Sequence, residues 1–222
     1  KFVMSYYPIF VQLQGESTLV VGGGSVARRK VETLLEHGAS VGIVSRMLCP
    51  ELVRLVEKGE IRFLGKEFRE GFLQGVFLVI AATDDKELNH QISLAAREKG
   101  LLINAVDQPE DCNFIVPSIV NRGNLQIAIS TSGKSPAMAK KIRKELEACF
   151  GPEYEEFLDL MGRIREELLP MGFSQKENSA IFQQIIDAGL LDMITRGDTK
   201  GAETALSAIL PAGMDMEKIR RL

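Results

Sequence analysis

The sequence predicts an α/β fold with a doubly wound parallel sheet, and three observations predict it. Short apolar runs alternate with segments of helical period over the first hundred or so residues, and parallel strands need helical crossovers of this kind. One run, VFLVIAAT at 76–83, is almost unbroken in its apolarity, as a strand buried on both faces must be. The first run, 18–21, passes straight into three glycines and then a helical pattern, TLVVGGGSVARRK.

The elements follow in order. Residues 18–21 form the first strand; Val26, Val31, Leu34 and Leu35 share one face of the helix after it, which Gly38 is placed to end. Residues 41–45 are a second strand, 50–58 a helix and 61–64 a third strand. The 76–83 run is the fourth, expected inside the sheet. Asp84, followed three residues later by Glu87, reads as a capping box. It opens a helix whose Leu88, Ile92, Ala95 and Ala96 face inward until Gly100 stops it. Residues 101–106 are the fifth strand.

Gly22-Gly23-Gly24-Ser25-Val26-Ala27 has the spacing G-x-G-x-x-A. Gly22 makes the tight turn, Gly24 lets the backbone approach a pyrophosphate, and Ala27 allows close packing of helix on strand. The free N–H groups and positive dipole end of the helix that starts at Ser25 and Val26 favour an anion. With a strand before it and a helix after it, the motif predicts a Rossmann-like dinucleotide site rather than a merely permissive turn. An NAD site usually carries an acid about 20 residues further on, for the ribose hydroxyls; this chain has Ser45-Arg46 there. Ser45 can hydrogen-bond a ribose hydroxyl. Arg46 can pair with the extra phosphate of NADP, stack on adenine or remain a solvated arginine, so the residues alone leave both cofactors open. Thr83, Asp84, Asn104 and Val106, at strand ends facing the same cleft, are candidate cofactor contacts, with Asp84 doubling as a helix cap.

Composition narrows the partners. Lys and Arg total 27 against 30 Asp and Glu, a net charge of −3, so no global basic field draws the chain to nucleic acid or to an anionic membrane. No stretch approaches the roughly 20 apolar residues of a spanning helix, and the leading KFVMSYYPIFVQLQG lacks the uninterrupted run of a signal peptide. A cytoplasmic location is expected. Cys49, Cys112 and Cys149 are odd in number and widely spaced, with no histidine near them, and His37 and His90 lie far apart. This predicts reduced thiols and no metal site in the protein.

Beyond the sheet, 114–120 and 125–130 read as two further strands, followed by a turn and a helix with Ser135 as N-cap and Pro136 at its first position. From Lys134 to Lys144 there are five cations, Lys134, Lys140, Lys141, Arg143 and Lys144, and no acid. Charge alone favours a solvated helix face over an electrostatic clamp for a polyanion. On a regular helix Lys140 and Lys144 share one face and Lys141 lies about 100° away, so only a subset can point into one cleft. Past Phe150, Tyr154, Phe157, Leu158, Met161, Ile164 and Leu168 fall at helical spacing, and Ile181, Ile185, Ile186, Leu190 and Leu191 continue in a later helix, with 171–174 as a hinge or connector.

Taken in order, VVGGGSVARRK, AATDD, NAVDQP, FIVPSIVNRG and STSGKSPAMAKKIRKELE, with YYPIFVQLQG ahead of them, resemble the precorrin-2 dehydrogenase/sirohydrochlorin ferrochelatase family of sirohaem biosynthesis, over roughly the first 150 residues. The resemblance implies NAD-dependent oxidation of precorrin-2 to sirohydrochlorin in a homodimer; some members also insert Fe2+ to give sirohaem. It implies an NAD-binding domain at 1–113 and a dimerisation and substrate-binding segment at 114–150; the helical spacing past Phe150 adds a C-terminal helical domain at 151–222, able to close over the tetrapyrrole. The cofactor contacts are then Gly22, Gly23, Gly24, Ser25, Val26, Ser45, Arg46, Thr83, Asp84, Asn104 and Val106. Both tetrapyrroles are fringed with carboxylates, which moves Lys134, Lys140, Lys141, Arg143 and Lys144, with Thr131 and Ser132 in the turn before them, towards substrate binding. In bifunctional members that turn carries a serine that can be phosphorylated; here Thr131 stands in its place, beside Ser132.

Asp107 matches the aspartate of the family's VDxP pattern and is carried over as the catalytic residue. After the fifth strand, at the carboxyl edge of the sheet, it is placed to act as general base while NAD accepts hydride. Its plainer alternative is a turn cap before Pro109. Ferrochelation needs no protein metal site, because the macrocycle brings four nitrogens. Two other classes compete. A non-catalytic dinucleotide-sensing module shares the glycine motif and the sheet but gives no role to the basic helix. A short-chain-type dehydrogenase needs Y-x-x-x-K, and Tyr6, Tyr7 and Tyr154 are followed four positions on by Phe10, Val11 and Leu158, which disfavours it.

Overall fold

The computed structural model describes residues 6–219; the first five residues of the leading stretch and the last three of the C-terminal segment lie outside the described residues. The chain forms two compact units, dividing between Val116 and Pro117. The sequence placed its first boundary at residue 114 and a second at 151; the hairpin, the basic helix and the later helices belong to one unit.

In the first unit the parallel sheet forms as its apolar runs require. Strands β1 (Ser17–Val21), β2 (Ser40–Val44), β3 (Arg62–Gly65), β4 (Leu78–Ala81) and β5 (Leu102–Ala105) pair in parallel in the order β3-β2-β1-β4-β5. Helices α1 (Ser25–Glu36), α2 (Pro50–Glu57) and α3 (Lys86–Glu98) lie between them in sequence. Strand alternation sends side chains into two cores. Leu19, Val21, Val79, Ala81 and Ile103 pack with Ile92 and Ala96 of α3. Val20, Ile43, Leu78 and Ile80 pack with Ala27, Val31 and Leu34 of α1 and Leu52 of α2. Helices therefore cover both faces, and all four residues of β4 are buried. From β1 the chain runs to β2 and β3 on one side, then returns to β4 and β5 on the other. The carboxyl ends of β1 and β4 flank the point where strand order reverses, where the crevice of such sheets opens.

One cap differs from the expected one. Asp85, not Asp84, is the N-cap of α3, its Oδ1 accepting from the Leu88 N–H at 3.0 Å. The Asp84–Glu87 capping box is thereby corrected, because the third helical position becomes Leu88, which has no side-chain acceptor. Thr83 sets the shift: its Oγ1 accepts from the Asp85 N–H at 3.2 Å and turns the chain one residue later.

In the second unit β6 (Ser118–Arg122) and β7 (Leu125–Ile129) form an antiparallel hairpin. The expected strand from 114 begins only at Ser118, since Pro117 has no N–H to give a ladder. Helix α4 (Pro136–Cys149) starts as predicted, with Ser135 Oγ accepting from the Met138 N–H at 3.2 Å and Pro136 in first place. Helices α5 (Glu153–Leu168), α6 (Gln175–Asp187), α7 (Leu190–Thr195), α8 (Thr199–Ile209) and α9 (Met216–Ile219) share a core that includes Phe157, Leu160, Ile164, Ile185, Leu190 and Leu206. The single later helix of the sequence pattern is two helices, broken at Gly189 in a left-handed conformation (φ 73°).

A reciprocal capping box opens α6: Ser174 Oγ accepts from the Glu177 N–H (3.3 Å) and Glu177 Oε2 accepts from the Ser174 N–H (2.8 Å). Hydrogen bonds from the Ser174 side chain and then its backbone hold the Glu177 carboxyl below the usual glutamate range. Replacing Ser174→Ala is expected to cost about 1 kcal/mol in urea unfolding at neutral pH. A depressed carboxylate contributes fully above its unfolded pKa and loses that contribution as pH falls through its folded one, so the wild-type advantage is expected to shrink on acidification.

Candidate functional site

At the carboxyl ends of β1, β2, β4 and β5 the loops leave a cleft of about 1190 Å³, above the roughly 300–1,000 Å³ of common small-molecule pockets. The glycine turn lies at its base. Gly22 N–H donates to the Val44 carbonyl (2.9 Å), and the Gly23 carbonyl accepts from Cys49 N–H (2.8 Å), tying the turn to β2 and to the entry of α2. A β-carbon on Gly22 would lie 2.2 Å from the Ala82 oxygen, and one on Gly23 1.9 Å from the Met47 oxygen. Gly24 differs: a β-carbon there meets nothing within 4 Å, so this residue faces open space. It is also the N-cap of α1 without any side-chain cap, and the first turn of α1 holds no acid. The first-turn N–H groups, which include those of Ser25 and Val26, have no helical acceptor, and nothing on the helix offsets its positive end. This cradle fits a pyrophosphate.

The opposite walls come from the other strand ends. Ser45 Oγ donates to the Met47 carbonyl at 2.6 Å, so its proton is engaged in the loop and its lone pairs remain. Arg46 is exposed and lies 3.7 Å from Glu67 Oε1. Glu67 and its neighbour Lys66 line the same cleft from beyond β3. Thr83, Asp84, Val106 and Asp107 line it from the ends of β4 and β5. Asp107 is exposed and takes a left-handed backbone, φ 59°. The structure therefore brings together every expected first-unit residue except Asn104. That side chain lies two residues short of the Val106 rim, and its Nδ2 donates to the Phe114 carbonyl at 3.3 Å.

Behind Asp107 lies a polar cluster that sequence reasoning missed. Asn89 and Gln108, both buried, form an amide pair at 3.0 Å and also line the cleft. Asn89 and Ser93 are polar residues at inward positions of α3, four apart; that break in an apolar stripe is the signal by which they are legible. Burial first, opposed by a backbone hydrogen bond with Ala105, raises the Cys112 thiol pKa. Its Sγ donates toward the Ala105 and Gln108 carbonyls (3.2 and 3.3 Å), a packing role beneath the loop.

In the second unit, Thr131 Oγ1 accepts from the Ser135 N–H (3.2 Å) and its carbonyl from the Lys134 N–H (3.0 Å). Ser132 is exposed with φ 51°. The five cations are not equivalent. Lys141 lies 3.7 Å from Glu145 and Arg143 pairs with Glu147, both one helical turn on. Among the described residues, Lys134, Lys140 and Lys144 are exposed and make no ion pair. Among the described residues there is also no group of three or more His, Cys, Asp or Glu able to hold a metal, and no helix long and apolar enough to cross a membrane.

Comparison with known proteins gives the site its context. A family described as putative NAD(P)-binding matches residues 9–118, and one described as sirohaem biosynthesis protein, central, matches 122–148. The chain is 38% identical over 203 residues to a siroheme synthase of Photorhabdus laumondii, covering 91% of this chain and 43% of that protein. It is 37% identical over 204 residues to a siroheme synthase of Neisseria meningitidis serogroup C, covering 92% and 42%. The chain thus spans less than half the length of these relatives. Among solved structures, SirC, a precorrin-2 dehydrogenase, superposes with a TM-score of 0.76 at 28% identity, covering 92% of this chain and 98% of that one.

The two kinds of glycine are separable by experiment. Gly22→Ala is expected to destabilise the fold by roughly 1–3 kcal/mol through the clash with Ala82. Gly24→Ala is expected to leave thermal stability near wild type while weakening NADH binding roughly tenfold, as one lost close contact to a charged group does, read by fluorescence titration.

Proposed function

This chain belongs to the siroheme synthase family, matching its N-terminal precorrin-2 dehydrogenase part, and we propose that it oxidises precorrin-2 to sirohydrochlorin with NAD as acceptor. The observation that carries the reading is Asp107: an exposed carboxylate in the same cleft as the glycine cradle, at the carboxyl end of β5.

NAD supplies a hydride acceptor when bound. The glycine turn and the first N–H groups of α1 would hold its pyrophosphate, with Ser45, Arg46, Thr83, Asp84 and Val106 around it. Asp107 takes the proton that the ring system loses as the hydride departs, and the C–H electron pair left behind becomes a new double bond. Substrate loses one hydride and one proton, and Asp107 passes the proton to solvent. Asp107 is open to water, so it needs no further relay.

The carboxylate fringe of the tetrapyrrole calls for donors and cations. Thr131, Ser132, Lys134, Lys140 and Lys144 are the readiest, and Lys141 and Arg143 join by exchanging Glu145 and Glu147 for substrate. We also propose a homodimer, supported by the β6–β7 sheet: with two strands among the described residues, it has edges that a second copy would extend. The cysteines are free thiols, in keeping with a cytoplasmic enzyme.

The choice of NAD over NADP is assigned to Glu67. Its carboxylate beside Arg46 offsets the cation that would otherwise meet a 2′-phosphate, and it brings from beyond β3 the acid that β2 lacks. Glu67→Gln is expected to reduce the ratio of kcat/KM for NAD over NADP by roughly two- to fivefold, the range of an exposed ion pair.

The direct test is an anaerobic assay of the purified chain with precorrin-2 and NAD, followed by Fe2+. Wild type is expected to oxidise the substrate, and Asp107→Ala to lose roughly 10²–10⁴-fold in kcat with NADH affinity nearly unchanged. Accelerated metal insertion on adding Fe2+ would reveal a second, chelatase activity. Dinucleotide binding without any oxidation would mean a sensing module instead.

A further inference from the structure

Asp107 takes a left-handed backbone, φ 59°, which aspartate adopts more readily than most residues and only singly. Its neighbour Gln108 belongs to a buried polar cluster. Asn89 is 1% exposed, Gln108 7% and Asp111 5%. Asn89 Oδ1 accepts from Thr83 Oγ1 (2.7 Å) and the Thr83 N–H (3.3 Å), while its Nδ2 donates to the Thr83 carbonyl (3.0 Å) and to Gln108 Oε1 (3.0 Å). Gln108 Nε2 then donates to the Lys86 carbonyl (3.1 Å) and to Asp111 Oδ2 (2.9 Å). His90 closes the far end, its Nδ1 2.6 Å from Asp111 Oδ1.

Every donor and acceptor of both amides is thus engaged, and neither amide can be turned over. A flipped Asn89 would set its NH2 against the Thr83 N–H and its oxygen against the Thr83 carbonyl. The chain of bonds runs from Thr83, on the β4 side of the cleft, through Asn89 to Gln108, the residue that follows Asp107, and on to Asp111 and His90. Buried amides so placed carry a position from one wall of a site to the other.

We infer that Asn89 and Gln108 are positioning residues: the buried amide pair sets the carboxylate of Asp107 relative to the Thr83 wall, and so aligns proton abstraction with the cofactor side of the cleft. This rests on the reading of Asp107 as the base. A misplacement of about 1 Å in such a group costs on the order of 10²-fold in rate, whereas loss of the pair need not touch dinucleotide binding.

The experiment is a double-mutant cycle. Gln108→Met keeps the length of the side chain and removes the amide; Asn89→Asp keeps the acceptor for Thr83 and removes the donations to Gln108 and to the Thr83 carbonyl, and serves if the first variant does not fold. In the Asp107-containing enzyme either variant is expected to lower kcat for precorrin-2 oxidation by roughly 10–100-fold, and Gln108→Met, which leaves the Asn89–Thr83 bonds in place, to keep KM for NAD and the affinity for NADH within about twofold. In an Asp107→Ala background the same substitution is expected to change the residual rate by less than about twofold, because residues acting through one group are not additive. Equal losses in both backgrounds would show a merely structural role and overturn the inference, as would a variant at full rate in the first. Wild type without turnover, or Asp107→Ala at full rate, would overturn the function reading itself, and the inference with it.

Discussion

A β-carbon at residue 22 would stand 2.2 Å from the Ala82 carbonyl oxygen, so the chain can leave β1 and cross the end of β4 only where no side chain exists. β1 pairs with both β2 and β4, and their carboxyl ends must come together for the crevice to form. The close approach of residue 22 to Ala82 is what lets them. Its consequences run outward: Gly23 can lie against the Met47 carbonyl, and α1 begins in the open at Gly24 with its first N–H groups uncapped. A cradle of backbone N–H groups suited to an anion follows from this geometry.

The second wall of the crevice is built by different means. Where glycine supplies freedom on the β1 side, hydrogen bonds supply constraint on the β5 side. Beyond the amide pair, Ser93 Oγ donates to the Asp111 carbonyl (2.6 Å) and Arg97 Nη2 to the carbonyls of Glu110 and Cys112 (2.9 and 2.8 Å). One polar stripe of α3 therefore grips the whole turn after β5, while the apolar stripe of the same helix packs into the sheet. Such a turn is over-determined, with Asp107 in its left-handed conformation at the start.

In the second unit, local electrostatics sort residues that charge counting treats alike. Arg143 and Lys141 each find a glutamate one turn further along α4, as helical geometry favours. Lys134, in the turn before the helix, and Lys140 and Lys144 on one face have no such partner among the described residues. A carboxylate-fringed ligand would meet those three at the lowest desolvation cost.

The sequence by itself determined the sheet, its double winding, the glycine cradle and the start of α4, because each rests on periodicity or on the chemistry of a few adjacent residues. Apolar runs such as 76–83 have one solution when helices must cover both faces, and Ser135-Pro136 has little alternative to opening a helix. What only the tertiary structure decided involves residues distant in sequence. Asp85 rather than Asp84 caps α3 because the Thr83 hydroxyl turns the chain first. Asn104 falls beneath the rim because β5 ends one residue before Val106. Glu67 reaches Arg46 only because β3 pairs with β2, and Asn89 meets Gln108 only because α3 packs across the ends of β4 and β5. Periodicity specifies which face of an element is buried; it carries no information on which polar group from another element will stand opposite, and that is settled by the packing of the sheet and helices.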